Sequence, residues 1–132
     1  MPAVIREVET GGKLSFRFDA YCGDRVCGSI NVVKLPKPVG GRVSWNVRGV
    51  YVDANHRRQR IGTQLYEAAA RKACRRRGQL VSVAGNRDPG AHSHDFWAKQ
   101  ARLRAATVTR TGSYALPCPV TALGRSRRRR TA

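Results

Sequence analysis

Residues Val47–Gly78 read VRGVYVDANHRRQRIGTQLYEAAARKACRRRG, and their reading decides the fold. Val47, Val50 and Val52 are β-branched and Tyr51 is aromatic, the composition of a strand. Asp53, Ala54 and Asn55 break that pattern as turn formers do. Ile61, Leu65, Ala68, Ala69 and Ala73 then recur at helical spacing, with Tyr66 at the flank. Gly78 closes the helix as its expected C′ residue. Between strand and helix lies the polar loop His56–Thr63. A strand that feeds a basic loop and opens a helix is a geometry for holding phosphate. The first amides of a helix lack intrahelical partners, and its dipole favours an anion there.

Upstream, Val4, Ile5 and Val8 suggest a short strand and Gly11-Gly12 a turn. Leu14, Phe16 and Phe18 alternate with Ser15, Arg17 and Asp19, the period of a half-buried strand. Cys22–Arg25 reads as a hairpin turn, and Val26–Leu35 as the returning strand. Residues 36–41, PKPVGG, form a loop by composition. Val43, Trp45, Val47, Gly49 and Tyr51 alternate into the central stretch, and Tyr21 and Tyr51 are expected to pack within strands. Downstream, Leu80–Ala84 is a short buried strand parallel to the one before the helix, which makes a βαβ unit. A second helix is expected over Ala91–Arg104, then two closing strands over Ala106–Thr111 and Ser113–Cys118. The domain is expected over residues 1–120, and residues 121–132 form a basic tail.

The central stretch resembles the acetyl-CoA-binding motif of the GNAT superfamily of N-acetyltransferases, Arg/Gln-x-x-Gly-x-Gly/Ala between a strand and a long helix. Arg57 matches its first position and Gly62 its last; Arg60 stands where the family has its middle glycine. Phe96-Trp97-Ala98-Lys99 matches the family's late helix in kind, without the Gly-Phe that follows there. The resemblance implies an α+β fold: a mixed sheet of about six or seven strands with a central splayed βαβ unit. It implies acetyl-CoA as co-substrate. Backbone groups of Val50, Tyr51 and Val52 would receive the pantetheine arm. Arg57, Arg58, Gln59, Arg60, Gly62 and Thr63 would hold the pyrophosphate. Gly62 lets the backbone come close, and Arg60 either replaces lost main-chain contact with a guanidinium fork or crowds the loop. The family usually places two helices between its first two strands. This chain has only a Gly-Gly turn there, so the acceptor site is expected to be open and to suit a protein or RNA.

Acetyl transfer to an amine requires a positioned thioester, a base, a carbonyl-polarising donor and an acid for the leaving thiolate. The family often uses a strand Glu as base, but residues 42–52 contain no carboxylate. Asp53 reads as a turn residue. His92 and His94 open the second helix, and His94 is the candidate base. The family's acid is frequently a Tyr where Trp97 stands; indole cannot serve. Tyr114 is the remaining candidate acid, with Ser93 weaker. The His92-x-His94 pair has no evident third ligand, so no metal is expected.

The chain has 132 residues and a net charge of +18, with 26 Lys+Arg against 8 Asp+Glu, most of the basic residues being arginine. Such a field attracts polyanions. Arginine drift in a GC-rich genome accounts for the same numbers. Arg125, Arg127, Arg128, Arg129 and Arg130 concentrate the charge in the tail, as a phosphate contact or as a solubilising end. No apolar run approaches the ~20 residues of a membrane span, and no secretory signal is apparent, so a cytoplasmic protein is expected. Cysteines stand at 22, 27, 74 and 118. A Cys22–Cys27 disulfide is compatible with a hairpin but unusual in the cytoplasm. Cys74 is expected as a buried thiol, and zinc is not expected.

Two functions remain open from the sequence. One is an acetyl-CoA-dependent N-acetyltransferase acting on an amine of a macromolecule. The other is a catalytically degenerate module of the same fold that binds nucleic acid or a protein partner through its basic surface. A ribosomal-type basic protein is disfavoured by the βαβ pattern.

Overall fold

The computed structural model describes residues 3–56, 60–83, 92–102, 106–108 and 113–118, with residues 92–95 and 102 described by backbone alone. The expected tail at 121–132 lies outside the described residues. In chain order the elements are β1 (Val4–Val8), β2 (Ser15–Cys22), β3 (Arg25–Lys34), β4 (Ser44–Val52), a 3-10 turn (Ala54–His56), α1 (Ile61–Arg75), β5 (Gln79–Ser82), α2 (His92–Arg102), β6 (Thr107–Val108) and β7 (Tyr114–Leu116). The strands form one seven-stranded sheet in the order β1-β2-β3-β4-β5-β7-β6. It is a mixed sheet: β4 and β5 pair parallel, and the other neighbours antiparallel. The α+β expectation holds, and so does the replacement of the family's two early helices by a short link, since only residues 9–14 join β1 to β2.

One face of the sheet carries the core. Phe16, Phe18 and Ala20 of β2, Ile30 and Val32 of β3, Trp45 and Val47 of β4, and Leu80 and Leu116 pack with Ile61, Leu65, Ala69 and Ala73 of α1. The alanines let the helix lie close to the strands. Trp97 of α2 joins the same cluster, so both helices lie on this face. Leu14 is 64% exposed and falls outside the β2 alternation expected to begin with it.

Two register shifts change what the alternation alone predicts. In β4, Asn31 faces Gly49 while Val32 faces Val47, which leaves Arg48 as an extra, exposed residue. A bulge of this kind switches the sides of the residues that follow. Val50 and Val52 therefore turn toward the core after Val47, and Tyr51 turns out, 57% exposed. The expectation that Tyr51 packs within the sheet is wrong for this reason. In β3 a second shift leaves Cys27 extra, near the two-residue Gly23-Asp24 turn. Cys27 is bonded there to Cys22.

Cys74 is not a free thiol. It forms a disulfide with Cys118, which ties the last turns of α1 to the segment just after β7. The helix end also differs from expectation. Arg77, at φ 60°, is the left-handed C′ residue. Gly78 follows it, donating its N–H to the Ala73 carbonyl at 2.9 Å while Arg77 donates to Cys74 at 2.9 Å. This is a Schellman termination shifted one residue earlier than the glycine suggests. Lys72 and Arg76 bring their charged ends over aromatic rings near the helix end. The Arg76 guanidinium lies 4.9 Å from the Trp45 ring centroid, and Lys72 pairs with Glu7.

Candidate functional site

β4 and β5 pair only at Ser44–Gln79, Trp45–Leu80 and Asn46–Val81. Beyond Asn46 they part. β4 continues to Val52, whereas β5 ends at Ser82. The Asn46 side chain stands at the fork and accepts the Val83 N–H at 3.1 Å. Along β4 the backbone groups alternate between neighbours. Asp53 donates its N–H to Cys27 of β3 at 2.8 Å. By that alternation Tyr51 also faces β3, and the N–H and C=O of Val50 point to the side where β5 has ended. Among the described residues, the bulge at Arg48 and the end of β5 at Ser82 thus leave a cleft between the two strands.

The first turn of α1 stands at the end of this cleft. Gln64 donates the first intrahelical bond, to Arg60 O at 3.0 Å, so the amides of Ile61, Gly62 and Thr63 precede the ladder. No acidic residue lies in this turn, and Arg60 makes no side-chain cap. A β-carbon built on Gly62 meets Val52 Cγ2 at 3.7 Å, which places Gly62 directly beside the end of β4. Arg60 adopts φ 62°, ψ 20°, the left-handed conformation that glycine takes without cost. The chain thus keeps the backbone shape of a glycine position while carrying a guanidinium there.

Gly28, which the sequence reading did not single out, makes this approach feasible. A β-carbon on it would lie 2.9 Å from Tyr51 O and 3.3 Å from both Ile61 Cγ2 and Leu65 Cδ1. Its signal in the sequence is a lone glycine inside a strand, the mark of a close approach.

Of the residues expected to bind a cofactor, the structure brings Val50, Val52, Gly62 and the α1 turn to one place. Tyr51 lies between them in sequence, but its backbone groups face β3 and its ring turns to the opposite side of the sheet. Arg57, Arg58 and Gln59 lie outside the described residues, as do Arg125 and Arg127–Arg130. His94 lies in α2, with its side chain outside the description. Tyr114 is on β7, paired with Ser82 and Val108. Its ring stacks on Trp97 at 6.0 Å.

Trp97 is fully buried among Tyr66, Phe96 and Tyr114. Tyr66, placed at the flank of α1 by the periodicity, is also buried, because Phe96 of α2 stacks on it at 3.8 Å. Burial pushes the Tyr66 phenol well above its ordinary value; the nearby Trp97 indole opposes this weakly. The two polar atoms do not meet hydrogen-bond geometry, and Tyr66 Oη and Trp97 Nε1 are both buried without a partner. Among the described residues no cluster of His, Cys, Asp or Glu is arranged to hold a metal, and no helix is long and apolar enough to cross a membrane.

No curated protein sequence matches the chain significantly. Among solved structures it is similar to the aminoglycoside N-acetyltransferase AAC(6')-Iy in complex with CoA, with 14% identity over 82% of this chain and 92% of that one, and a TM-score of 0.63. It is also similar to the ribosomal-protein-alanine N-acetyltransferase from Brucella melitensis biovar Abortus 2308, with 17% identity over 61% and 77% of the two chains and a TM-score of 0.53. A transcriptional regulator from Bacillus halodurans C-125 is 19% identical over 61% and 79%, with a TM-score of 0.53. At these identities the likeness is one of fold. The acetyltransferase (GNAT) family model matches residues 6–101, and the chain belongs to that family.

Proposed function

We propose that this chain is an acetyl-CoA-dependent N-acetyltransferase acting on an amine carried by a macromolecule. The observation that carries the reading is the parting of β4 from β5 after Asn46, beside a helix N-terminus whose first three amides precede the ladder. The pyrophosphate of acetyl-CoA would rest on the amides of Ile61, Gly62 and Thr63, with Arg57, Arg58 and Arg60 neutralising it and the Gln59 amide donating a hydrogen bond. The pantetheine arm would lie along β4 at Val50–Val52, and the Val50 N–H would polarise the thioester carbonyl. The six-residue link between β1 and β2 leaves the acceptor side open, which favours a protein or RNA acceptor over a small molecule. His94 and Tyr114 are the residues proposed to accept the amine proton and to protonate the thiolate. A cytoplasmic location fits a CoA thioester; the two disulfides fit an oxidising compartment.

Calorimetry with acetyl-CoA at near-physiological salt tests the reading. Gly62→Ala is expected to keep the binding heat, because a β-carbon fits against Val52. Gly62→Glu is expected to abolish it by placing a carboxylate where phosphate should sit. Equal heats from both variants, or none from the native chain, would sink the proposal.

A second reading has its own support. Residues 42–52 carry no carboxylate, and fully buried Trp97 stands where the family often has its acid. On that reading the chain is a degenerate GNAT-fold module that holds a polyanion or an acidic protein through its basic surface. Arg125 and Arg127–Arg130 would contribute, and removing residues 125–132 would lower the salt slope of polyanion binding.

A further inference from the structure

β2 alternates without interruption from Ser15 to Tyr21. Phe16, Phe18 and Ala20 face α1; Arg17, Asp19 and Tyr21 face the other way. Cross-strand pairing extends this second face. Arg6, Asp19, Ser29 and Tyr51 form one row across β1 to β4, and Val8, Arg17, Asn31 and Gly49 form the next. At about 4.8 Å per strand a row spans about 14 Å, long enough for two or three bases. Neither helix covers this surface, since both belong to the opposite core.

The chemistry of the surface is specific. A face made for a helix or a second copy of the chain would present rows of apolar residues. These two rows present serine, asparagine and arginine with one valine, Val8, and the row beyond them, Val4, Tyr21 and Val26, adds two exposed valines at the turn end of the strands. They also present aromatic rings to solvent. Tyr51 is 57% exposed, and the Arg6 guanidinium lies 5.5 Å from the centroid of the half-buried Tyr21 ring. The one carboxylate in the rows, Asp19, is 6% exposed and engages Arg17 Nε at 2.8 Å. Exposed Arg48 stands at the bulge beside Gly49. Apart from Val4 and Val26 at its end, the accessible surface is therefore cationic with π-faces.

We propose that this helix-free sheet face binds single-stranded nucleic acid. Bases stack on Tyr51 and on the Arg6–Tyr21 pair, Asn31 and Ser29 offer hydrogen bonds to base edges, and Arg17 and Arg48 hold phosphates. Single strands are required because the bases of a duplex are already stacked on each other. The proposal rests on neither the thioester cleft nor the basic tail, and its test needs no acetyl-CoA.

Because a charge of +18 attracts any polyanion, the test must separate stacking from attraction. Fluorescence anisotropy of the full chain is measured with a 12-mer single strand, as RNA and as DNA, and with the matching duplex, over a salt series. Tyr51→Ala is expected to weaken single-strand binding about tenfold with an unchanged salt slope, since the ring carries no charge. Arg6→Ala is expected to weaken it and reduce the slope by about one. Arg71→Ala, on the exposed side of α1, removes the same charge and is expected to cost less than Arg6→Ala. Asn31→Asp keeps the exposed position and is expected to repel the strand about tenfold, a second probe should Tyr51→Ala fail to fold. A preference for RNA or DNA supports the proposal either way. Duplex bound as tightly as single strand, Tyr51→Ala within twofold of native, or equal losses from Arg71→Ala and Arg6→Ala would each overturn it. So would self-association abolished by Tyr51→Ala without oligonucleotide binding, which would make the face a dimer contact.

Discussion

Gly78 and Trp45 lie so close that no side chain fits between them. A β-carbon on Gly78 would stand 3.0 Å from Cδ1 and Nε1 of the indole and 2.8 Å from the Val43 carbonyl oxygen. That carbonyl also accepts the Gln79 N–H at 3.0 Å, the bond that docks β5 beside β4. Neither partner can withdraw without loosening the parallel pair. Gly78→Ala is therefore expected to cost about 1–3 kcal/mol, the range of a forced overpacking. Urea unfolding would show it as a lowered midpoint with an unchanged slope. An unshifted midpoint would mean that the strand entry is looser than these distances imply.

Arg77, next to it, predicts the opposite sign. Its φ of 60° costs a residue with a β-carbon about 1–2 kcal/mol, and its side chain is exposed. Arg77→Gly should raise stability by about 1 kcal/mol and the melting temperature by a few degrees. Arg60 has the same conformation at the other end of the helix. Arg60→Gly should stabilise the fold similarly while weakening acetyl-CoA about tenfold through loss of a charge-assisted contact. A gain in both stability and affinity would show that the arginine crowds the phosphate site instead of serving it.

The Cys74–Cys118 disulfide closes a loop of 44 residues that contains β5, α2, β6 and β7. Chain-entropy arguments assign such a closure about 4 kcal/mol, and about 2 kcal/mol to the five-residue Cys22–Cys27 loop. Replacing both Cys74 and Cys118 by Ser should lower the melting temperature far more than the same change at Cys22 and Cys27. Thermal scans of the two double variants check this order, and titration of free thiols on protein taken under acid quench checks that the native pairs are oxidised.

These relationships show what the sequence could reveal. The strand, basic loop and helix of Val47–Gly78 were legible because each is a local pattern, and Arg60 marked itself by occupying a glycine position. The bulge at Arg48 was not legible. It arises from the register with β3, and nothing within β4 announces it, so alternation alone puts Tyr51 on the wrong face. The Cys74–Cys118 pair needs two segments to meet that only the finished sheet brings together. Helical periodicity puts Tyr66 at a flank because it knows one packing partner, the sheet. α2 supplies a second, and its Phe96 and Trp97 cover the ring.

Tyr66 gives the last prediction. Its hydroxyl is buried without a hydrogen bond, beside an indole N–H in the same condition. An unpaired buried hydroxyl costs about 1–3 kcal/mol of lost solvation, so Tyr66→Phe should leave stability unchanged or raise it by about 1 kcal/mol. The pH dependence is sharper. Burial raises the phenol above its ordinary value of 10.0 in the folded state. Below pH 10 both states hold the proton and Tyr66 adds no pH dependence. Above it the unfolded chain releases the proton while the folded chain keeps it, so unfolding is favoured as pH rises. The slope reaches about 1.4 kcal/mol per pH unit. From pH 9 to pH 11 the native chain should therefore lose about 1.4 kcal/mol more than Tyr66→Phe does. Denaturant midpoints for the two proteins at both pH values measure the difference directly. Parallel losses would mean that water reaches the hydroxyl and that α2 does not seal the α1 core.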